Sequence, residues 1–411
     1  MRLRRCRMCH GSRLETYLDL GATPLADGFL RADQLHEPEA VYPLAVALCK
    51  DCGLSQLTHV VNPELLYCRD YPYESSTTAT GRQHWGEFAS TATRKLALGR
   101  QDLVVDIGSN VGVLLAMFRK EGVRIIGVDP APNIVAIARR RGIPTECGFF
   151  DAAIARKIAT RWGQAALATA TNTFAHIHDV DRLAHALKVL LKENGVFALE
   201  APHVLRLLQR LEYDTIYHEH LSYLAVKPLV RFFHRFGMEV FDVEERPMHG
   251  GSIRVYVQMP QGRRPVAAIV SRLMREEERH GAFSLRKLRQ FAAAVRQHRD
   301  ELQRRLQRLK RQGNVIAGVS APAKGMTLLN YCRLGPELLD FISEKSKLKI
   351  GRFTPGVHVP VVSDEKLLKR QPDYALILAW NFAPEIMGNL ESYRRRGGKF
   401  IIPIPKPRII A

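Results

Sequence analysis

Two pairs of cysteines, Cys6-Arg-Met-Cys9 and Cys49-Lys-Asp-Cys52, constrain this chain more than any other feature of it. A CxxC pair puts two sulfurs on one tight turn, and two such turns supply the four soft ligands of a tetrahedral Zn²⁺. A shared ion obliges the polypeptide between the pairs to double back, so the N-terminal stretch reads as a small zinc-stapled module. A four-thiolate site is closed and leaves no open position, which makes the metal structural and puts the chemistry elsewhere. Cys68, Cys147 and Cys332 are scattered, as reduced thiols are.

Beyond the second pair the pattern changes. A helix is expected over 82–98, and from residue 102 short apolar strands alternate with amphipathic helices. Strands are expected at 103–107, 124–129, 167–171 and 195–200, and helices at 113–120, 133–141 and 180–191. That alternation argues a parallel, doubly wound sheet. A strand at 252–257 follows a double glycine, and a second α/β run starts near residue 315 with strands at 315–319, 338–342 and 374–379. At 411 residues more than one core is expected. The expected class is α/β: a zinc-binding module over 1–75, a Rossmann-like domain over 76–245 and a second Rossmann-like α/β domain over 246–411.

The turn after the first of these strands reads Asp106-Ile-Gly108-Ser-Asn110-Val-Gly112. Its glycines let bare backbone approach a ligand at a helix N-terminus. Dinucleotide loops use GxGxxG, whereas two glycines with an acid at the strand end suit S-adenosylmethionine (SAM) better than a pyrophosphate. Asp129, at the end of the next strand, is placed to accept both ribose hydroxyls, and Phe149-Phe150 can flank an adenine. A generic strand-to-helix turn is the competing reading of the loop alone.

The densest polar stretch is Tyr213-Asp-Thr-Ile-Tyr217-His218-Glu219-His220-Leu-Ser222-Tyr223. Its histidines stand two apart and cannot share a helix face, which argues against an HExxH metal site. An imidazole beside a carboxylate suits removal of a carbon-bound proton, and a phenol suits a developing oxyanion. A buried polar network joining domains would use the same residue types. Tyr71-Pro-Tyr73-Glu-Ser-Ser-Thr reads either as part of a site or as a proline turn with packed tyrosines. Gly318-Val-Ser-Ala-Pro-Ala-Lys324-Gly325, at another strand-to-helix turn, could hold a phosphate or diphosphate through its amides and lysine, or cap a surface turn.

A composition of 46% hydrophobic and 25% charged residues is globular and soluble in type, and no apolar run approaches the length of a membrane span. The basic start, Met1-Arg-Leu-Arg-Arg, has no apolar signal core after it, so a cytoplasmic location is expected. The formal charge of +20 admits nucleic acid, an anionic surface or an anionic small substrate. Much of it is local. Residues 284–312 carry ten Lys/Arg against two acids, with apolar side chains at helical spacing, which reads as one long helix with a solvated basic face. No basic stretch is studded with aromatics for stacking bases.

Taken together, these stretches resemble the sugar C-methyltransferases of deoxysugar biosynthesis, over nearly the whole chain. The resemblance is carried by the paired CxxC module, Tyr71-Pro-Tyr73, Gly108-Ser-Asn-Val-Gly112, Asn172-Thr-Phe-Ala-His176 and Tyr217-His-Glu-His220-Leu-Ser-Tyr223. His249-Gly-Gly-Ser-Ile-Arg254, Ala321-Pro-Ala-Lys-Gly325, Gly351-Arg-Phe-Thr-Pro355 and Ala379-Trp-Asn-Phe382 complete it. It implies a zinc module, a class I methyltransferase domain that binds SAM, and a C-terminal domain that binds a nucleotide sugar. The implied reaction methylates a ring carbon, typically C3, of a thymidine-diphosphate-linked 4-keto-deoxysugar. His220, with Glu219, would remove the proton beside the ketone, while Tyr71 and Tyr217 would orient the sugar or stabilise the enolate. Asp106, Gly108, Asn110, Gly112, Asp129, Phe149 and Asn172 would form the SAM site. Tyr73, His176, Tyr223, Arg254, Lys324 and Arg352 would face the substrate, and Cys6, Cys9, Cys49 and Cys52 would hold zinc. Val111 stands where the family's loop carries an acid, and Ser320 where its lysine loop carries a glycine. The expected partner is a small nucleotide sugar, neither nucleic acid nor membrane, and no oligomeric state is legible. Two other readings compete: SAM-dependent methylation of another carbon or a non-sugar substrate, and a zinc-containing nucleic-acid-binding protein.

Overall fold

The computed structural model describes residues 1–68, 71, 72, 75 and 79–411, with His249 represented by its backbone alone. The N-terminal module is an antiparallel sheet of β1 (Leu14–Thr23), β2 (Tyr42–Cys49) and β3 (Ser55–Leu57). Strand β2 ends on Cys49, so the second cysteine turn forms the β2–β3 connection, with the Cys49 N–H donating to the Leu54 carbonyl at 2.8 Å.

A central sheet follows, built from β4 (Leu103–Ile107), β5 (Arg124–Asp129), β6 (Thr145–Cys147), β7 (Ala165–Thr171) and β8 (Leu191–Pro202). Strand β9 (Ser222–Tyr223) lies apart from it, while β10 (Glu239–Arg246) and β11 (Ser252–Gln258) complete it. The order is β10-β11-β8-β7-β4-β5-β6, parallel from β8 to β6, with β11 antiparallel to both its neighbours. Strands β4 and β5 are apolar almost throughout, as parallel strands covered on both faces must be. Strand β11 lies beyond residue 245 yet is hydrogen-bonded between β8 and β10, so the central sheet runs past the domain boundary expected there. Strand β9 instead joins the zinc module's sheet, with Gln56 opposite Ser222 and Ser55 opposite Tyr223.

The C-terminal sheet contains β12 (Ile316–Val319), β13 (Ile342–Glu344), β14 (Val361–Ser363), β15 (Tyr374–Ile377), β16 (Lys399–Ile402) and β17 (Arg408–Ile410). Its order is β14-β13-β12-β15-β16-β17, parallel except for β17. The strand expected over 338–342 forms only at its far end. The Leu338 and Leu339 N–H groups both turn back to the Gly335 carbonyl and are unavailable to a ladder.

The basic segment is one helix, Leu285–Arg311. Its stripe of Leu288, Phe291, Val295, Leu302, Leu306 and Leu309 packs into a core shared with Tyr17, Leu18 and Leu20 of β1. Arg286, Arg289, Arg296, Arg304 and Arg308 lie exposed on the other face, so most of the local charge is solvated. Among the described residues no helix is long and apolar enough to cross a membrane.

Candidate active site

The strand order reverses at β4, between β5 and β7, and a cavity of about 650 Å³ opens beyond the carboxyl ends of these strands. The β4–helix turn forms one wall. Gly108 takes φ +74°, and a Cβ there would meet Thr173 Oγ1 at 2.2 Å; Gly112 takes φ +79° and would meet Ile143 at 2.7 Å. Both glycines are therefore required by conformation and by space. Asn110 tolerates the same left-handed region at φ +50°, and its Oδ1 accepts the Ser75 and Val111 N–H groups at 2.9 Å. Val111 is buried against Ala131 and Ile134, so its side chain fills a small apolar cluster.

Asp129 ends β5 in the cavity wall. One carboxylate oxygen accepts the Asn110 N–H and the other the Ala131 N–H, each at 2.9 Å. A carboxylate has about four acceptor positions, so capacity remains for the two hydroxyls of a ribose. Asp106, at the end of β4, accepts the Thr169 hydroxyl at 2.7 Å. Burial pushes it up to about 7, with Thr169 opposing and Asp129 assisting. Phe149, 42% exposed, lines the cavity together with Phe150, Asn172 and His176. Volume, glycine turn and acid at the β5 terminus fit SAM; Asp106, Gly108, Asn110, Asp129, Phe149 and Asn172 all line the space, while Gly112 shapes the turn from just outside it.

The loop from Tyr217 to Leu221 borders the cavity through Leu221, while Tyr217, Glu219 and His220 stand behind its lining. The His220 Nδ1 lies 2.7 Å from the Thr215 carbonyl, which can only accept, so Nδ1 carries the ring proton. Nε2 is left as the basic nitrogen and accepts the Tyr217 hydroxyl at 2.7 Å. The His220 ring centroid is 4.9 Å from that of His176. His176 takes part in a 3.1 Å hydrogen bond with the Tyr67 hydroxyl through Nδ1, its Nε2 is buried without a partner, and burial pushes it down to about 4. Tyr71, also in the cavity wall, donates its hydroxyl to Glu219 at 3.1 Å. Burial, reinforced by Asp27, pushes Glu219 up to about 8 against the Tyr71 hydrogen bond and the charge of Lys349. Lys349 is itself buried, 3.2 Å from Asp27 and donating to the Ala321 carbonyl at 2.8 Å.

The four zinc-module thiols converge as expected. All four sulfurs lie within 4.8 Å of one another, with Cys6–Cys52 at 3.6 Å and Cys9–Cys49 at 3.5 Å. A Zn–S bond of about 2.3 Å places tetrahedral sulfurs about 3.8 Å apart, so the donor set fits Zn²⁺. Hydrogen bonds within the cluster hold Cys49 below the ordinary thiol range and Cys6 and Cys52 above it, a sharing of protons that a dication would replace.

Other expected substrate contacts are not brought to the cavity. Arg254 is 1% exposed, paired with Glu200 and Glu244, and its guanidinium sits 3.5 Å over Phe88. Two carboxylates already compensate its charge, which corrects its assignment to substrate. Tyr223 is held in β9, its hydroxyl buried inside the zinc module. Lys324 donates to Asn381, lies 4.1 Å over the Trp380 ring, and faces the buried Asp214 and Glu212. Lys324 lies outside the cavity lining. Arg352 sits in a turn closed onto Lys349, outside the cavity lining. Tyr73 lies outside the described residues. Sequence reasoning missed Tyr67, just ahead of the stretch that begins at Tyr71, and the Thr215 carbonyl. It also missed Asp27 and Lys349, whose separation in the chain left no local signal.

A SAM-shaped pocket on a doubly wound sheet, carried by a chain with a four-thiolate zinc module, defines a SAM-dependent methyltransferase. Three family models cover the chain in that order. They are “Putative zinc binding domain” over residues 6–67, “Methyltransferase domain” over 82–243 and “C-methyltransferase C-terminal domain” over 247–405. The chain is 36% identical over 406 residues to the C-methyltransferase NovU of Streptomyces niveus, spanning 99% of this chain and 96% of that one. It therefore belongs to the SAM-dependent sugar C-methyltransferase family, with SAM as cofactor and zinc in the N-terminal module. Its substrate is a small molecule. Solved structures similar to it include a SAM-dependent methyltransferase from Clostridium acetobutylicum at 16% identity and TM-score 0.34, covering 43% of this chain and 92% of that one. Another is the magnesium protoporphyrin IX methyltransferase ChlM of Synechocystis PCC 6803 with bound SAM, at 12% identity and TM-score 0.33, covering 46% and 88%.

Proposed function

We propose that this enzyme methylates a ring carbon, C3, of a thymidine-diphosphate-linked 4-keto-deoxysugar, with His220 as the base. The observation that carries the reading is the hydrogen bond between His220 Nδ1 and the Thr215 carbonyl, which leaves Nε2 as the lone-pair nitrogen beside the cofactor cavity. An ordinary sugar C–H is far too weak an acid for imidazole; a C–H beside a ketone is not, which ties the base to a keto sugar. Nε2 takes that proton, the C–H electron pair forms the C=C bond of an enolate, and the ketone oxygen receives the charge. Substrate at Nε2 displaces the Tyr217 hydroxyl, which becomes available to that oxygen. Tyr71, backed by Glu219, and the buried His176 Nε2 border the same space. Asp129 and the Gly108–Gly112 turn would hold SAM, and Phe149 would offer an aromatic face to its adenine. Bound there, SAM supplies an electrophilic methyl group. The cytoplasm is the compartment we assign.

Solvent deuterium exchange tests the base. His220→Ala should abolish exchange at the carbon beside the ketone of a thymidine-diphosphate 4-keto sugar while SAM still binds. Exchange at the parental rate would remove His220 from the role. Salt-sensitive binding of duplex DNA or tRNA, with nucleotide sugars giving no thermal protection, would turn the reading toward nucleic acid.

A further inference from the structure

The zinc module does more than close its own fold. Between the first two ligands stands Arg7, 5% exposed, whose guanidinium points away from the knuckle into β3. Its Nε donates to Gln56 Oε1 at 3.1 Å, its terminal nitrogen to the Leu57 carbonyl at 3.3 Å, and its backbone N–H to the same Gln56 oxygen at 3.2 Å. The second knuckle grips the other end of this short strand, since Cys52 precedes Ser55 by one turn and the Leu54 carbonyl accepts from Cys49. Three residues between two knuckles are thus held from both sides.

The open edge of β3 carries the loop that contains His220. The Leu57 N–H donates to the Leu221 carbonyl at 3.0 Å, and Gln56 and Ser55 pair with Ser222 and Tyr223. Leu221 lines the cofactor cavity, and the His220 N–H in turn bonds to the Tyr217 carbonyl at 2.9 Å. Continuous hydrogen bonds therefore run from a zinc knuckle through Arg7, Leu57 and Leu221 to the residue beside them. A two-residue strand such as β9 cannot hold its position alone; an isolated pair of strands is marginal in water even when longer. A buried, charge-assisted donor on the backbone of its partner strand supplies what the length does not.

We propose that Arg7 is a positioning residue for the reaction: with the zinc knuckles it fixes β3, and β3 fixes the loop that presents His220 to the substrate. The proposal rests on His220 being the base, and its test separates the two. Hydrogen exchange of segment 215–223 is followed in the full-length zinc-loaded enzyme and in Arg7→Met, together with zinc content, SAM Kd, and kcat and KM for a thymidine-diphosphate 4-keto sugar. Arg7→Met should keep its zinc and its SAM affinity. Its loop should exchange about 10- to 100-fold faster, and kcat should fall by about the same factor with KM little changed, because misplacing a reacting group costs turnover rather than binding. Arg7→Lys, which keeps the charge and loses the fork, should restore only part of kcat. In a His220→Ala background Arg7→Met should add nothing. Parental loop protection and kcat in zinc-loaded Arg7→Met would overturn the proposal, as would a further loss in the His220→Ala background. If Arg7→Met does not fold, the wild-type chain treated with a zinc chelator decides: segment 215–223 must lose protection before strands 103–107 and 124–129 do. Should His220→Ala leave solvent exchange into the substrate intact, the base assignment fails while the loop-protection result stands by itself.

Discussion

Arg254 offers the sharpest test of how charge is used in this molecule. Its guanidinium is buried and donates to Glu200 Oε2 from two nitrogens, at 2.8 and 2.7 Å, and to Glu244 at 3.2 Å. The other Glu200 oxygen accepts from the buried His84 at 2.6 Å. Arg254→Met keeps the length and the contact with Phe88 but leaves Glu200 buried with one partner fewer. Removing one member of a buried pair costs roughly 3–5 kcal/mol. For a domain of this size each kcal/mol lowers Tm by about 2–4 °C, so the fall should be about 6–20 °C. Arg254→Lys should lie between, because a single ammonium cannot reproduce the fork. Burial opposes the ionisation of Glu200, but His84 and Arg254 outweigh it and hold the carboxyl below its ordinary 4.5. That contribution is present above 4.5 and is lost as pH falls below it, so parent and variant should converge in acid. Thermal melting, with SAM Kd and sugar KM measured well below Tm, decides the matter. An unchanged Tm with KM raised tenfold or more would show that Arg254 reaches the substrate and refute the reasoning.

Three other substitutions probe the carboxylate, the cofactor turn and the metal site. Glu219 is pushed from 4.5 up to about 8, so its folded-state contribution is present below 4.5 and is lost as pH rises through about 8. The Tm of Glu219→Gln should therefore gain on the parent as pH rises from 4.5 to about 8 and level off above, and a pH-independent difference would contradict the raised carboxyl. Gly108→Ala places a Cβ at φ +74° and 2.2 Å from Thr173 Oγ1; at about 1–2 kcal/mol for the left-handed region alone, SAM Kd should rise tenfold or more by calorimetry, and an unchanged Kd would move the cofactor elsewhere. Cys49→Ser should lower both zinc content and Tm, and unaltered metal stoichiometry would contradict a four-thiolate site.

Legibility followed locality. Strands β4 and β5 could be read because a parallel strand covered on both faces is apolar throughout. The long strands of the zinc module could not, because register shifts between Thr16 and Leu18 and between Asp19 and Ala22 break the alternation of β1. Leu338-Leu339 looked like a strand because both side chains are buried, but their amides serve a turn. In the site, the cofactor loop was legible because a left-handed turn with no room for a Cβ, as at Gly108 and Gly112, demands glycine. The tautomer of His220 was not, since it depends on which carbonyl stands beside Nδ1.

From the amino-acid order alone came the paired thiols, the glycine turn and the acid at the end of β5, because each is a requirement of residues close together in the chain. Tertiary structure decided which charges meet ligands and which meet one another. Arg254 and Lys324 both stand in stretches whose resemblance implied a substrate contact, yet Arg254 pairs with Glu200 and Glu244 and Lys324 donates to Asn381, while Lys349, unmarked in the sequence, meets Asp27. A charge leaves water only when a partner waits for it, and the identity of that partner is settled when the chain closes on itself.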